Sequence, residues 1–175
     1  MGQKELEISA EQTGVTLRQF VLADAEPLFT LINNNREHLN QHGDDTAQKY
    51  PDLESAARSI SNPPNPRKLR FGIWDGQTFV GSVNLTPQEE QKEAELGYWL
   101  GSQFTGKGYA TIATKTLANY AVNELGYKRI FAKVNKNNQP SIKTLERSGF
   151  IRTGETESDY IYFFTSEKIA SLPPR

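Results

Sequence analysis

The sequence predicts a mixed α/β fold of the α+β kind, with a mostly antiparallel sheet of six to seven strands flanked by helices. Three observations predict it. Two strand-like runs, 69–74 and 78–85, are joined by Asp75-Gly76, a dipeptide suited to the positive dihedrals of a tight hairpin turn. A strand-like run at 93–100, a glycine-rich turn and a helical run at 109–125 lead to an apolar strand at 129–134, so residues 94–134 read as a β-α-β unit with parallel strands. The 175 residues suffice for one core and carry no repeat, so 1–175 reads as a single domain.

The remaining elements follow in chain order. Residues 1–14 are polar and unpatterned and read as a flexible lead-in, after which 15–21 reads as a first strand. Asp24 stands where a helix N-cap belongs, Pro27 is confined to the first turn, and Leu28, Leu31, Ile32 and Leu39 share one helical face. A second helix at 53–60 follows Asp52 and stops at Asn62-Pro63-Pro64-Asn65-Pro66, which cannot continue it. After the hairpin a polar loop, 86–92, precedes the strand 93–100. The long helix carries Ile112, Leu117, Ala121 and Leu125 and is closed by Gly126. A short helix at 140–147 ends at Gly149, and 150–153 and 160–164 supply two closing strands.

Composition excludes several function classes. A net charge of -1 without a long basic cluster offers no footprint for nucleic acid or an anionic membrane. No apolar run approaches membrane-spanning length, and the first residues lack a signal core. There is no cysteine and only His38 and His42, so no metal site is assigned. These features fit a cytoplasmic protein, either a monomer or a homodimer.

The richest stretch is Gln103-Phe104-Thr105-Gly106-Lys107-Gly108-Tyr109-Ala110, set between a strand and a helix. Glycines let consecutive N–H groups converge, and the helix start adds partial positive charge, an arrangement suited to phosphate. A P-loop needs four residues between its first glycine and Gly-Lys, then Ser or Thr, but Gly108 follows Gly106-Lys107. A dinucleotide turn needs a third glycine where Thr111 stands.

The order Gln-x-x-Gly-x-Gly after a strand and before a helix, with Asn138 and Gly149-Phe150 downstream, resembles the GNAT superfamily of acyl-CoA-dependent N-acyltransferases. Glu95-Leu96-Gly97-Tyr98-Trp99-Leu100, the loop 103–110 and Asn138-Gln139-Pro140-Ser141 resemble its RimL/RimJ branch, whose members acetylate the N-terminal α-amine of ribosomal proteins. The resemblance spans 15–164 and implies a GNAT-like sheet whose parallel central strands, 93–100 and 129–134, splay at their C-terminal ends. Acetyl-CoA is then the implied acyl donor. Backbone groups near Trp99, Leu100 and Gly101 would pair with the pantothenate arm. Gln103 and the N–H groups from Gly106 through Lys107, Gly108, Tyr109 and Ala110 to Thr111 would seat the pyrophosphate, with Lys107 adding charge at the rim. Asn138 would bond the arm, and Lys143 would reach a CoA phosphate unless it is simply a solvated helix lysine.

Transfer to an amine needs a free nitrogen lone pair, so an ammonium must lose a proton. Glu95 is the candidate base, acting through water, because it precedes the cofactor end of its strand; the alternative is a structural or solvent-facing glutamate. Glu93 shares its face and reads as solvated. Glu155 and Glu157 are reserves, by resemblance to relatives that place a base after Gly-Phe. Many superfamily members carry a tyrosine where this chain has Leu145. Ser141, one turn earlier, takes the donor role toward the sulfur by resemblance to the RimL branch, the alternative being an early-helix polar residue. Tyr98, Trp99 and Tyr109 read as packing, with Tyr98 or Tyr109 framing the acyl pocket. His38 and His42 lie where the resemblance puts a wall of the acceptor cleft and read as solvated or capping. Asp44, Asp45, Glu89, Glu90 and Glu93 read as solvated charge rather than an acidic lip for a cationic amine.

The leading expectation is an acetyl-CoA-dependent N-acetyltransferase working by direct attack in a ternary complex, since no cysteine exists to carry an acyl group. Its acceptor is an amine-bearing protein, peptide or small molecule, the last including an antibiotic, a toxin or a peptide natural product. The alternatives are a non-catalytic acyl-CoA sensor or peptide-binding module, and a nucleotide-binding protein using the same loop.

Overall fold

The computed structural model describes residues 5–88 and 92–164. Its eight strands form one sheet in the order β1-β2-β3-β4-β5-β6-β8-β7: β1 Glu7–Ser9, β2 Val15–Gln19, β3 Leu69–Asp75, β4 Thr78–Gln88, β5 Glu93–Leu100, β6 Arg129–Asn135, β7 Phe150–Glu155 and β8 Asp159–Phe164. Every neighbouring pair is antiparallel except β5 and β6. The mostly antiparallel sheet is the one expected, and among the described residues it has eight strands where six to seven are read from the sequence. The extra strand comes from the stretch read as a lead-in, where Glu7, Ile8 and Ser9 pair with Arg18, Leu17 and Thr16. The loop expected at 86–92 also shrinks, because Thr86, Pro87 and Gln88 continue β4 opposite Glu95, Ala94 and Glu93.

The helices are α1 Ala25–Asn33, α2 Arg36–Leu39, α3 Thr46–Lys49, α4 Leu53–Ser61, α5 Tyr109–Asn123 and α6 Gln139–Arg147. Asp52 caps α4 as its position suggests, accepting from the Ser55 N–H at 2.7 Å. Asp24 does not cap α1. Its buried carboxylate accepts from Val21 N at 2.8 Å and takes both guanidinium nitrogens of Arg18 at 3.0 and 3.1 Å, pinning the end of β2 to the start of α1. The helical face of Leu28, Leu31, Ile32 and Leu39 is buried as expected, but the helix breaks after Asn33. At the other end of the fold α5 stops at Asn123, so Leu125 is exposed, while Gly126 turns at φ +74 and lets the Tyr127 N–H return to the Ala121 carbonyl at 3.1 Å.

Alternation along the strands sorts the two faces. Ala94, Leu96 and Leu100 of β5 join Leu17, Phe71, Ile73, Leu85 and Ile130 in a core covered by α5 and α6. A second cluster under α1 and α4 holds Leu28, Ile32, Ala56 and Phe79. Burying each large apolar side chain contributes about 1.5–3 kcal/mol relative to leaving it exposed.

The central feature is where β5 and β6 part. They pair only at Glu93/Arg129, Ala94/Ile130 and Glu95/Phe131, after which residues 96–100 and 132–135 run on with no pairing between them. Each keeps its outer partner: β5 stays on β4 to Leu100, and β6 stays on β8 to Asn135. The end of β5 lies close on β4, because a Cβ at Gly81 would fall 2.1 Å from the Trp99 carbonyl oxygen. Gly81→Ala should therefore cost about 1–3 kcal/mol by overpacking. A denaturant midpoint equal to wild type would show that this approach is not fixed.

Candidate active site

Backbone direction along β5 decides which groups face the fork. Lys128 N–H donates to the Lys92 carbonyl at 2.8 Å, and Gly101 N–H donates to the Val80 carbonyl at 3.0 Å. Even-numbered residues thus turn their backbone toward β6, and odd-numbered ones turn it toward β4. Beyond the last pair, the Leu96 carbonyl and the N–H and C=O groups of Tyr98 and Leu100 face the gap. Of Trp99, Leu100 and Gly101, Leu100 is the residue whose backbone turns to the gap. The Trp99 backbone groups and the Gly101 N–H turn to β4, the Gly101 carbonyl accepts from the Phe104 N–H at 2.9 Å, and the Trp99 ring packs edge-on against Phe79 at 6.0 Å.

The glycine-rich loop continues from that end. Gly101 is held tightly, as an added Cβ would lie 2.7 Å from Leu31 Cδ1 and 2.9 Å from Gln103 Oε1, which places the Gln103 side chain back over the strand exit. Gly106 and Gly108 adopt φ +73 and +87, conformations that side chains other than glycine rarely take, and nothing lies within 4 Å of a Cβ at either. Gly108 precedes α5 without any side-chain cap. The first-turn N–H groups at Tyr109, Ala110 and Thr111 have no carbonyl within the helix to bond and point out of its end. Lys107 is exposed beside them, with Nζ 5.9 Å from the centre of the Phe104 ring. Tyr109 donates its hydroxyl to Asp75 Oδ2 at 2.6 Å, and that bond pushes its phenol pKa up. The loop is thus tied to the β3–β4 turn.

Asn35 is a residue that sequence reasoning missed. Its buried side chain donates to the Leu31 carbonyl at 2.8 Å and accepts from Ser102 N at 2.8 Å and Ser102 Oγ at 2.7 Å. The break between α1 and α2 places this amide where it anchors the loop. The run Asn33-Asn34-Asn35, poor in helix propensity, was the available signal. His38 lines a small polar pocket with Asn34, Glu37 and Gln41 beside Asn35 and Ser102, whereas His42 is an exposed turn residue at φ 57.

Across the gap, Asn138 accepts from Ser141 N at 3.3 Å, so its carbonyl oxygen caps α6. Ser141 is half-buried, Lys143 is exposed, and Leu145 is part of the core. The Tyr98 hydroxyl lies beside those of Ser141 and Thr144, enough to oppose the upward push that burial gives its phenol, but it makes no hydrogen bond within normal limits. Tyr98→Phe should therefore leave the melting temperature unchanged or raise it, because it removes a buried hydroxyl without a partner. A clear fall in Tm would mean that the hydroxyl is bonded.

Glu95 sits on the opposite face. It occupies the last paired position of the fork, opposite Phe131 of β6 and Thr86 of β4. A cleft of about 330 Å³ opens there, lined by Thr46, Lys68, Asn84, Thr86, Glu95, Trp99 and Lys133. Glu95 and Ser141 thus flank the gap from its two sides. Glu93, read as solvated, is instead buried and ion-paired to Arg129, because the parallel register sets the two directly opposite each other. Glu155 lies on the outer strand β7, 3.4 Å from Lys136, and Glu157 is exposed in the β7–β8 turn. Neither borders the cleft. The acidic residues near it are engaged locally: Asp44 accepts from Thr46 N at 2.7 Å, and Asp45 pairs with Lys49 at 2.8 Å. Glu89 and Glu90 lie outside the described residues.

An open sheet edge, a glycine-turned helix start without a cap and a Cβ-free concavity suit a long ligand with amides at one end and a pyrophosphate at the other. No helix among the described residues is long and apolar enough to cross a membrane.

Residues 15–151 match the acetyltransferase (GNAT) domain family. The chain is 42% identical over 144 residues to the uncharacterized N-acetyltransferase p20 of Bacillus licheniformis, an alignment that covers 80% of each chain. Among solved structures it is similar to the microcin C7 self-immunity acetyltransferase MccE in complex with acetyl-CoA and AMP, with a TM-score of 0.74 and 28% identity over 85% of this chain and 91% of that one. It also shares the fold of RimL, the ribosomal L7/L12 α-N-protein acetyltransferase in complex with coenzyme A, with a TM-score of 0.78 and 21% identity over 90% of this chain and 97% of that one. The chain therefore belongs to the GNAT acetyltransferase family, as an N-acetyltransferase whose acyl donor is acetyl-CoA.

Proposed function

We propose that this acetyltransferase acts on the α-amine of a protein or peptide N-terminus, by direct attack while donor and acceptor are bound together. The observation that carries the reading is the fork itself, with Glu95 at its base on the cleft side and Ser141 on the side of α6. Acetyl-CoA supplies the activated thioester. Backbone groups of Leu96, Tyr98 and Leu100 align the donor, and the N–H groups from Gly106 to Thr111 hold its pyrophosphate. Glu95 takes a proton from the acceptor ammonium through water, and the freed amine attacks the thioester carbonyl to form the C–N bond. The C–S bond breaks, the nitrogen's second proton passes to the departing thiolate, and the Ser141 hydroxyl hydrogen-bonds that sulfur. An α-amine titrates near ~7.7–8.0 whereas a lysine amine titrates near ~10.4, so one water-linked carboxylate suffices for the former more readily.

A second reading, favoured by the likeness to MccE, is a small peptide natural product or another amine-bearing antibiotic as acceptor. A pool of peptides with free N-termini, a matched pool with blocked N-termini and free lysines, and a panel of small amines separate these possibilities. Thiol release together with an acetyl mass gain on free N-termini supports the proposal. Release with blocked peptides or small amines alone overturns it, and acetyl-CoA binding without amine-dependent release identifies a sensor.

A further inference from the structure

We propose that the acceptor carries an anionic group, a carboxylate or a phosphate, close to the amine that is acetylated, and that Lys68 and Lys133 bind it. This rests on the reading above that the acceptor enters on the Glu95 face.

Lys68 and Lys133 reach the cleft from separate segments. Lys68 immediately precedes β3, and Lys133 lies on the arm of β6 beyond its last pair with β5. Alternation sets Lys133 on the same face as Phe131, the residue paired with Glu95, and its Nζ lies 5.9 Å from the Phe131 ring centre. Neither lysine has a carboxylate within 4.0 Å among the described residues. Arg70 adds a third cation behind them. It donates to the Ser59 carbonyl and the Tyr50 hydroxyl, both at 2.9 Å, so neutral partners hold it and its charge is not cancelled. Asp45 and Glu93 are taken by Lys49 and Arg129, which leaves Glu95 as the carboxylate lining the cleft.

The field in the cleft is consequently positive overall with one negative point at the fork. Lys68 is half-buried, and burial, followed by the repulsion of Lys49 and Arg70, holds its ammonium below the ordinary lysine value, with Asp45 and Glu95 opposing. A bound anion offsets both the burial and the repulsion. An acceptor whose ammonium lies toward Glu95 and whose anion lies toward the lysines matches this polarity. A polycationic amine meets like charge wherever it extends past Glu95. Asn84 and Thr86, on the same face as Gly97 and Glu95, add neutral hydrogen-bonding groups that serve any acceptor.

The test is a set of peptides that are identical except for the residue after the N-terminal one, which is Asp, phosphoserine, Gln or Lys. It is run beside two small amines, an aminoalkyl phosphate and an alkyl diamine. On wild-type protein kcat/KM should be about tenfold higher for the Asp or phosphoserine peptide than for Gln, and lower again for Lys. The Asp and phosphoserine arms distinguish the two anions. Lys68→Gln and Lys133→Gln should each narrow the acidic-to-neutral ratio, and the double variant should bring it close to one; the ratio cancels any general loss of activity. Equal rates, a preference for Lys, or a ratio that survives the double variant overturns the proposal. Acetylated peptides with no charge preference would sink it while leaving the N-terminal reading intact. Transfer to the aminoalkyl phosphate but to no peptide and not to the diamine would do the reverse.

Discussion

Gly106→Val is expected to weaken acetyl-CoA binding at least about tenfold while leaving the fold in place. Gly106 sits at φ +73, where a side chain costs about 1–2 kcal/mol even before any contact is counted, and a tenfold change corresponds to about 1.4 kcal/mol. Apart from its two chain neighbours, nothing lies within 4 Å of the added Cβ, so the loss does not come from a Cβ clash with the rest of the chain. It comes from turning the loop's N–H groups away and from filling the concavity they surround. Gly106→Asn separates these two causes, because asparagine tolerates the left-handed conformation yet still puts a side chain into the space. Titration with acetyl-CoA reads both variants. If Asn binds like wild type, backbone conformation is the requirement, and if both lose affinity, the space itself is occupied by ligand. Wild-type affinity in the valine variant would remove the loop from the donor site.

Glu95→Gln should lower kcat by on the order of a hundredfold with the acetyl-CoA dissociation constant unchanged. The substitution keeps size and hydrogen bonding at the last paired position of the fork but removes the proton acceptor. Its pH dependence follows from the acceptor. Below the α-amine value of roughly 8 the substrate is an ammonium and depends on the base, so the defect is greatest there; above it the free amine is already present and the defect shrinks. Glu155→Gln, on the outer strand beside Lys136, serves as the comparison and should remain near wild type. An equal loss of cofactor affinity in Glu95→Gln, or a defect that does not change with pH, would falsify the assignment of the base.

What could be read from residues alone was local. Asp75-Gly76 specifies a turn by its own dihedral preferences, and Asp52 caps the helix that follows it. Gly106 and Gly108 announce a backbone that other residues do not adopt, and β5 begins and ends at the residues its pattern suggests. Features that failed share a different character. Glu7–Ser9 is too short to show a strand period and pairs only because β2 offers an edge. Asp24 looks like a cap until Arg18, from the preceding strand, takes its carboxylate. Glu93 looks solvated until the parallel register brings Arg129 against it from 36 positions away. Asn35 gives no hint that Ser102, separated by 67 positions, is its partner.

The same division separates the two halves of the site. The proposed donor half is legible in the sequence itself, because the pyrophosphate seat proposed for it uses consecutive backbone N–H groups, and the glycines that would permit it are neighbours in the chain. The proposed acceptor half was decided only by the tertiary structure. The order of residues suggested only solvated charge, but Asp44 and Asp45 are used within their own turn and Glu93 is buried against Arg129. Lys68, Glu95 and Lys133 converge from the residue before β3, from β5 and from β6 to set the sign of the cleft. Charge in a cleft is a sum over residues that only folding brings together, whereas a glycine's dihedral belongs to that glycine alone.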